Sequence, residues 1–223
     1  MILVPGHMCG EWLYAPQMAA LPDTGLADVT QDDSIEAMAM RLLADAPARF
    51  HIAGLSMGAM VAMEVMAKAP ERVASACLMA TDPGPARAQE VEWRAGLWQE
   101  GFETYLDTFT GRFFGHDPET EARLRPMTRA GMGATPEDVA RTQARALDTR
   151  RDMVPLLAGC DIPTEILAGA EDKVCPPKIH MKLADALASA TLTVVPDCGH
   201  ILTLEKPAPA ILALDRLRKT TAR

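Results

Sequence analysis

The sequence predicts an α/β fold with a mostly parallel sheet, and two observations support that prediction. Short apolar runs of strand length alternate with segments whose apolar residues follow helical spacing, and this alternation covers most of the 223 residues. The composition is ordinary for a globular protein, with 48% hydrophobic and 23% charged residues. A chain of this length suits one domain, so we expect a single domain over residues 1–223 with helices on both faces of the sheet.

The predicted strands are short apolar runs bounded by Gly, Pro or Asp. They are residues 2–4, 26–29, 50–53, 73–80, 164–167 and 191–195. The first long helix is predicted after the polar stretch Asp32-Asp33-Ser34, which suits a helix N-terminus, and Ile35, Met38 and Leu42 continue it at helical spacing. Further helices are predicted at residues 59–68, 179–187 and 209–219.

One long segment, residues 83–152, interrupts this alternation. It contains only helical patterns, separated by breakers such as Gly111, Gly115 and Pro136. We call this segment the helical block. Because it lies between two predicted core strands, we expect it to be an insertion that covers the sheet as a cap.

Charge and composition exclude several classes of protein. The chain has 22 Lys and Arg against 30 Asp and Glu, a net charge of −8, which disfavours nucleic-acid binding. Its five cysteines are widely spaced and form no C-x-x-C pair, so neither a disulfide framework nor a metal site is expected. No phosphate loop or dinucleotide fingerprint is present, and we expect no cofactor. Without a long apolar run or a leader pattern, we expect no membrane contact and a cytoplasmic location.

A nucleophilic serine is predicted at Ser56. The pentapeptide Gly54-Leu55-Ser56-Met57-Gly58 directly follows a predicted buried strand and directly precedes a predicted helix. In this context G-x-S-x-G forms a sharp turn that exposes the serine, and the flanking glycines remove side chains that would clash. The N-terminus of the following helix offers free N–H groups to a developing oxyanion.

A base and an acid are expected to complete the site. His200 follows the last predicted strand, so it lies at the same edge of the sheet as Ser56. Asp172 follows the preceding strand and falls between the serine and the histidine in the chain, as a catalytic acid would. Glu171 and Asp82 also follow strands and remain alternative acids.

Four sequence matches occur in the same order as in a known superfamily. They are Pro5-Gly6-His7, the pentapeptide around Ser56, the segment Gly169-Ala170-Glu171-Asp172-Lys173-Val174, and Gly199-His200 followed by Glu205-Lys206-Pro207. On these residues the chain resembles the α/β-hydrolase superfamily over nearly its whole length. The Gly-Leu-Ser-Met-Gly sequence is most similar to the small esterase and enol-lactonase branch.

The resemblance has further implications for the site and the sheet. It implies that the backbone N–H groups of Met57 and His7 form the oxyanion hole, and it leaves open whether the His7 side chain lines the substrate site or packs under Trp12 and Tyr14. The family's first two strands would precede Met1, so we expect about six strands. The strand at 26–29 would then be a bare edge, and the protein a monomer or a homodimer.

Aromatic residues are concentrated in the helical block. Five of them are spaced by 4, 3, 4 and 4 positions, which predicts one face of a helix. They are Trp98, Phe102, Tyr105, Phe109 and Phe113. We expect this stripe to contribute substrate contacts, assigned to Trp98, Phe102, Tyr105 and Phe109, with plain packing of the cap as the alternative.

These features predict a serine hydrolase that cleaves a carboxylic ester or lactone of a small, largely apolar substrate through an acyl-enzyme on Ser56. The same fold also supports thioester hydrolysis, C–C bond hydrolysis and lyase chemistry. A ligand-binding protein that keeps an inactive triad is the alternative outside the enzymes.

Overall fold

The computed structural model describes residues 1–219, so the last four residues of the predicted domain lie outside the described part. The six strands found there are β1 (Ile2–Val4), β2 (Gly25–Leu26), β3 (Phe50–Leu55), β4 (Val73–Met79), β5 (Thr164–Gly169) and β6 (Ala190–Val195). They form one sheet in the order β2-β1-β3-β4-β5-β6, and every neighbouring pair is parallel. The predicted α/β fold with a parallel sheet of about six strands is confirmed.

Helices connect the strands and cover both faces of the sheet. Within residues 1–219 they are α1 (Ala15–Ala20), α2 (Ile35–Asp45), α3 (Met57–Lys68), α4 (Ala88–Glu100), α5 (Phe102–Thr110), α6 (Pro118–Gly133), α7 (Glu137–Asp148), α8 (Pro177–Ala186), α9 (Leu202–Glu205) and α10 (Pro207–Arg218). One hydrophobic cluster joins α2, α3 and α8 to one face of the sheet, and a second joins α10 to the other. The central strand β4 is buried along its whole length because helices cover it on both sides.

Local sequence signals account for much of this architecture. The side chain of Ser34 accepts a hydrogen bond from the N–H of Ala37 at 3.1 Å, so the polar stretch before α2 is its N-cap as predicted. The edge strand β2 is shorter than predicted and covers only Gly25–Leu26, both exposed. The predicted strand at 26–29 is wrong in its bounds because Val29 is buried in the α2 and α3 cluster instead.

The helical block contains α4 to α7 and no strand in the described chain. None of the helices within residues 1–219 has the length and apolar character needed to cross a membrane. The order in which strands are added to the sheet reverses at β1. Strand β2 lies on one side of β1, and β3 with the later strands lies on the other. Parallel α/β sheets bind their ligands at this point, beyond the carboxyl ends of the strands.

Candidate active site

Ser56 lies in a strained turn between β3 and α3. Its backbone has φ 57° and ψ −119°, a conformation with positive φ that residues other than glycine rarely adopt. The turn also requires its glycines. A Cβ on Gly58 would lie 2.0 Å from the carbonyl oxygen of Val4, and one on Gly54 would lie 2.3 Å from the carbonyl carbon of Gly58. Backbone atoms cannot yield, so only glycine fits at both positions.

Residues from the end of β4 hold this turn from the side. The N–H of Ser56 donates to the carbonyl oxygen of Met79 at 2.9 Å, and the hydroxyl of Thr81 donates to the carbonyl oxygen of Ser56 at 3.1 Å. Thr81 is held in turn, because its N–H donates to Nε2 of the fully buried His180 at 2.8 Å. Burial lowers the pKa of His180, which keeps this ring nitrogen a neutral acceptor. Neither residue carries a signal in the sequence that indicated this role.

His200 and Asp172 form a buried pair at the carboxyl ends of β6 and β5. Nδ1 of His200 lies 2.8 Å from Oδ2 of Asp172, and the Asp172 side chain is fully buried. Its other oxygen accepts the N–H groups of Val174 and Cys175 at 2.7 and 2.9 Å. Burial by itself raises the pKa of Asp172, but the contacts with His200 and the two N–H donors outweigh it and hold that pKa below its usual value.

The two alternative acids bond to other groups and do not contact His200. The carboxylate of Glu171 accepts the backbone N–H of His116 and lies 3.0 Å from Nδ1 of that exposed ring. Asp82 accepts the N–H of Gly84 at 2.9 Å and pairs with Arg87 at 3.2 Å. Among the three candidates, Asp172 is therefore the carboxylate that contacts His200.

The loop that carries His200 is fastened to the segment following α5. The N–H of His200 donates to the carbonyl oxygen of Phe113 at 2.6 Å, and the two rings stack with their centroids 5.3 Å apart. Glu205 accepts the N–H of Gly199 at 3.0 Å and that of Gly115 at 3.1 Å, so one carboxylate bridges the two segments. Burial raises the pKa of Glu205, although these N–H donors work against the rise.

The loop after β1 places His7 against the helical block. Nε2 of His7 lies 2.9 Å from the hydroxyl of Tyr105, and the next N–H in the loop, that of Met8, donates to Oε1 of Gln143 at 2.8 Å. His7 is 7% exposed, and burial, assisted by the charge of Arg94, lowers its pKa to about 3. The ring is therefore neutral at physiological pH. Met57 begins α3, so its N–H lacks an acceptor within the helix, as an oxyanion donor must.

A cavity of about 350 Å³ opens above these strand ends. The residues that line it come from the loops after β1, β3, β4, β5 and β6 and from the helical block. They include His7, Ser56, Asp82, Cys175 and His200. The proposed nucleophile and base thus face one common cavity.

The aromatic stripe is divided between two helices and a loop. Trp98 belongs to α4 and Phe102 to α5, because Gly101, with φ 106°, ends the first helix and caps the second. The prediction of a single helix is wrong here. The rings nevertheless stack, with centroid distances of 4.0 Å between Trp98 and Tyr105 and 4.5 Å between Tyr105 and Phe109.

Only part of the stripe reaches the cavity. In the described chain, Phe109 and Phe113 line it, and so does Trp93 from outside the stripe. Trp98, Phe102 and Tyr105 do not line it. Tyr105 is fully buried against His7, Trp98 stacks on Tyr105, and Phe102 stacks on Trp98. The assignment of these three residues as substrate contacts is therefore corrected to packing within the helical block.

No group of three or more His, Cys, Asp or Glu side chains within residues 1–219 is arranged to hold a metal ion. The five cysteines are free thiols. Burial raises the pKa of Cys175 well above its usual value, so this thiol in the cavity wall is neutral.

Comparison with known proteins places these features in a family. The sequence pattern of the alpha/beta hydrolase family matches residues 2–214. The protein named "Putative non-heme bromoperoxidase BpoC" in Mycobacterium tuberculosis is 31% identical over 173 residues, covering 73% of this chain. That match spans 64% of the relative, less than two thirds of its length. A pimeloyl-(acyl-carrier protein) methyl ester esterase from Neisseria meningitidis is 28% identical over 209 residues, which are 88% of this chain and 79% of that protein.

Solved structures show the same architecture. The enol-lactonase from Burkholderia xenovorans LB400 has a TM-score of 0.85 with 22% identity, covering 97% of this chain and 90% of that one. At this identity the likeness concerns the fold, whereas the family match covers nearly the whole sequence. The chain belongs to the α/β-hydrolase family.

Proposed function

We propose that the protein is a serine hydrolase that cleaves a carboxylic ester or lactone through an acyl-enzyme on Ser56. The observation that carries this proposal is the buried His200–Asp172 pair, 2.8 Å apart, because His200 lines the same cavity as Ser56. Ester and lactone hydrolysis is favoured because relatives and structural neighbours bear the names of a methyl ester esterase and an enol-lactonase.

The geometry suggests how each residue acts. Since Nδ1 of His200 is bonded to Asp172, Nε2 is the nitrogen left to take the proton of the Ser56 hydroxyl. The serine oxygen then bonds to the carbonyl carbon, and the oxyanion accepts the N–H groups of Met57 and His7. His200 returns the proton to the leaving alkoxide, and water hydrolyses the acyl-enzyme by the same route. Asp172 stabilises the imidazolium throughout.

A serine-directed fluorophosphonate tests this proposal directly. We expect it to label the wild-type chain at Ser56, and we expect Ser56→Ala to abolish labelling and to lower ester turnover by several orders of magnitude. Ser75→Ala is the matched control, because Ser75 is fully buried in β4 and bonds to His51 at 2.8 Å, away from the cavity. It should retain both labelling and turnover.

The test also separates the alternatives. Labelling elsewhere, or near-normal turnover in Ser56→Ala, would contradict the serine mechanism. A panel of simple esters, lactones, thioesters and diketones would rank the possible reactions by kcat/KM. A chain that is labelled at Ser56 but turns over none of them would favour the ligand-binding alternative.

A further inference from the structure

The cavity concentrates arginines although the chain as a whole is acidic. Four arginines line it, against two carboxylates, Asp82 and Glu90. They are Arg87, Arg94, Arg112 and Arg150. The net charge of the whole chain is −8, so a positive excess in this one cavity opposes the overall balance. Such local charge attracts anions into a cleft.

Three of these arginines are already neutralised. Arg150 is 7% exposed in its side chain, bonds to Glu90 and lies 3.9 Å from Asp82. Arg87 bonds to both of the same carboxylates. Arg94 is buried and bonds to Asp148. These contacts use the guanidinium groups to tie the helical block together, so they leave little charge for a ligand.

Arg112 differs from the other three. Among residues 1–219, no carboxylate lies within ion-pair distance of it. Its guanidinium lies over the ring of Trp93, 5.1 Å from the centroid, and one amino group donates to the carbonyl oxygen of Lys173 at 3.1 Å. An arginine has five N–H donors, so these contacts hold the group in place and leave most of its donors for another partner.

The position of Arg112 relates it to the catalytic residues. It directly precedes Phe113, whose carbonyl oxygen accepts the N–H of His200, and its own acceptor, Lys173, directly follows Asp172. The Lys173 ammonium closes the link by donating to the carbonyl oxygen of Phe114 at 3.3 Å. The guanidinium of Arg112, which has no carboxylate partner among the described residues, is therefore held beside the two loops that carry His200 and Asp172.

We infer that Arg112 binds a carboxylate on the substrate, so that the preferred substrates are esters or lactones that carry a second, ionised carboxyl group. This inference rests on the proposed hydrolase function and specifies its substrate class. A planar guanidinium matches a carboxylate with two parallel hydrogen bonds, and stacking on Trp93 fixes its plane in advance. The apolar wall formed by Phe109 and Phe113 suits the carbon chain between the two groups.

Monomethyl adipate and methyl hexanoate test this inference as a matched pair, because they differ only in a terminal carboxylate in place of a methyl group. We expect the wild-type chain to release methanol from monomethyl adipate with the higher kcat/KM. Arg112→Gln should lower that kcat/KM roughly 10- to 100-fold, the range for a lost hydrogen bond to a charged group, and leave methyl hexanoate within about threefold. Arg112→Lys should retain part of the preference because it keeps the charge.

Arg141→Gln is the matched control. Arg141 also lies over a tryptophan, with its guanidinium 4.4 Å from the Trp98 ring centroid, but it does not line the cavity and pairs with Glu137. It should leave the ratio of the two kcat/KM values unchanged. A wild-type chain without preference, or an Arg112→Gln variant that loses both activities equally, would overturn the inference and make Arg112 a loop anchor only.

If neither ester is hydrolysed, measuring the binding of the two esters still tests the inference. In the Ser56→Ala background, calorimetry should show tighter binding of monomethyl adipate than of methyl hexanoate, and Arg112→Gln should remove the difference. Equal binding of the two esters would overturn the inference. Failure of the hydrolase proposal would appear separately, as absence of fluorophosphonate labelling and of turnover in the wild-type chain.

Discussion

The turn around Ser56 and the helical block are held in place by different kinds of contact. Around Ser56, backbone atoms touch backbone atoms, and a Cβ on Gly58 would come within 2.0 Å of a carbonyl oxygen. In the helical block, side chains make the joints. The rings of Trp98, Tyr105 and Phe109 stack on each other, and Arg129 bonds to Asp107 and Glu103, both at 2.5 Å.

This difference has a consequence for function. A joint made of backbone cannot be repacked, so it fixes Ser56 within narrow limits, as the proposed acyl transfer would require. A joint made of side chains tolerates replacement more easily, because neighbouring rings and charges can rearrange. We therefore expect substitutions near the turn to affect chemistry or folding strongly, and substitutions of the cavity-lining residues of the helical block to alter substrate preference. Four predictions examine this contrast.

Asp172→Asn should have the largest effect on turnover. The amide cannot hold the imidazole in the tautomer that leaves Nε2 free for Ser56, and in a related arrangement this change costs roughly 10⁴ in kcat. Initial rates with a simple ester measure it. Glu171→Gln and Asp82→Asn are the controls, since neither carboxylate contacts His200, and both should have much smaller effects. If Asp82→Asn were the damaging change, the acid would be wrongly assigned.

Gly58→Ala and Gly96→Ala compare the two regions directly. The added methyl at 58 collides with the backbone of Val4, so we expect a loss of about 3 kcal/mol or more in the free energy of unfolding. At Gly96, inside α4, nothing lies within 4 Å of the new atom. There the better helix propensity of alanine should stabilise the fold by about 0.5–1 kcal/mol. Urea denaturation measures both, and equal effects would refute the contrast.

Comparing Phe109→Ala with Phe102→Ala distinguishes a ring that lines the cavity from a ring that only packs within the helical block. Phe109 lines the cavity, whereas Phe102 stacks on Trp98 outside it. Phe109→Ala should change the preference between short and long esters by roughly 1–3 kcal/mol, the range for altered pocket contacts. Phe102→Ala should lower stability and leave that preference unchanged. The readout is the ratio of kcat/KM values in folded variants, and an unchanged ratio in Phe109→Ala would assign that ring to packing too.

His7 packs against Tyr105 and Phe109 of the helical block, and its burial predicts a change in the pH dependence of stability. Its pKa is about 3 in the folded chain against an ordinary 6.5. Between these values the unfolded chain binds a proton at His7 that the folded chain does not, so stability falls as the pH falls. His7→Phe should reduce this loss between pH 7 and pH 4.5, as measured by urea denaturation. An unchanged slope in His7→Phe would contradict the prediction.

Local sequence patterns were sufficient where a short segment determines its own geometry. The strand-to-helix turn around Ser56 accepts only glycine at positions 54 and 58, because a Cβ at either position would collide with backbone atoms, and the G-x-S-x-G pattern therefore indicates that turn. Alternation of apolar runs located each strand found within residues 1–219 to within a few residues. His200 and Asp172 could be named because the carboxyl ends of parallel strands share one edge of a sheet.

Sequence spacing did not predict which aromatic side chains line the cavity, because their orientation depends on contacts between residues far apart in the chain. The five aromatic residues keep helical spacing, but Gly101 separates Trp98 in α4 from the residues of α5, and Phe113 lies beyond the end of α5. Sequence spacing alone does not show where a helix breaks. Which rings face the cavity depends on the bond between Tyr105 and His7, 98 positions apart in the chain. Long-range pairings of this kind decide the orientation of a side chain only once the elements have packed together.

The sequence by itself determined the α/β fold, the strained turn at Ser56 and the strand ends that carry His200 and Asp172. Each follows from steric limits or hydrophobic periodicity within a few neighbouring residues. Only the tertiary structure decided that Asp172, and not Glu171 or Asp82, contacts His200, and that Arg112 is left without a carboxylate partner among residues 1–219. These outcomes depend on which side chains from distant segments compete for the same partner, because charge pairing and burial are settled by the packed fold.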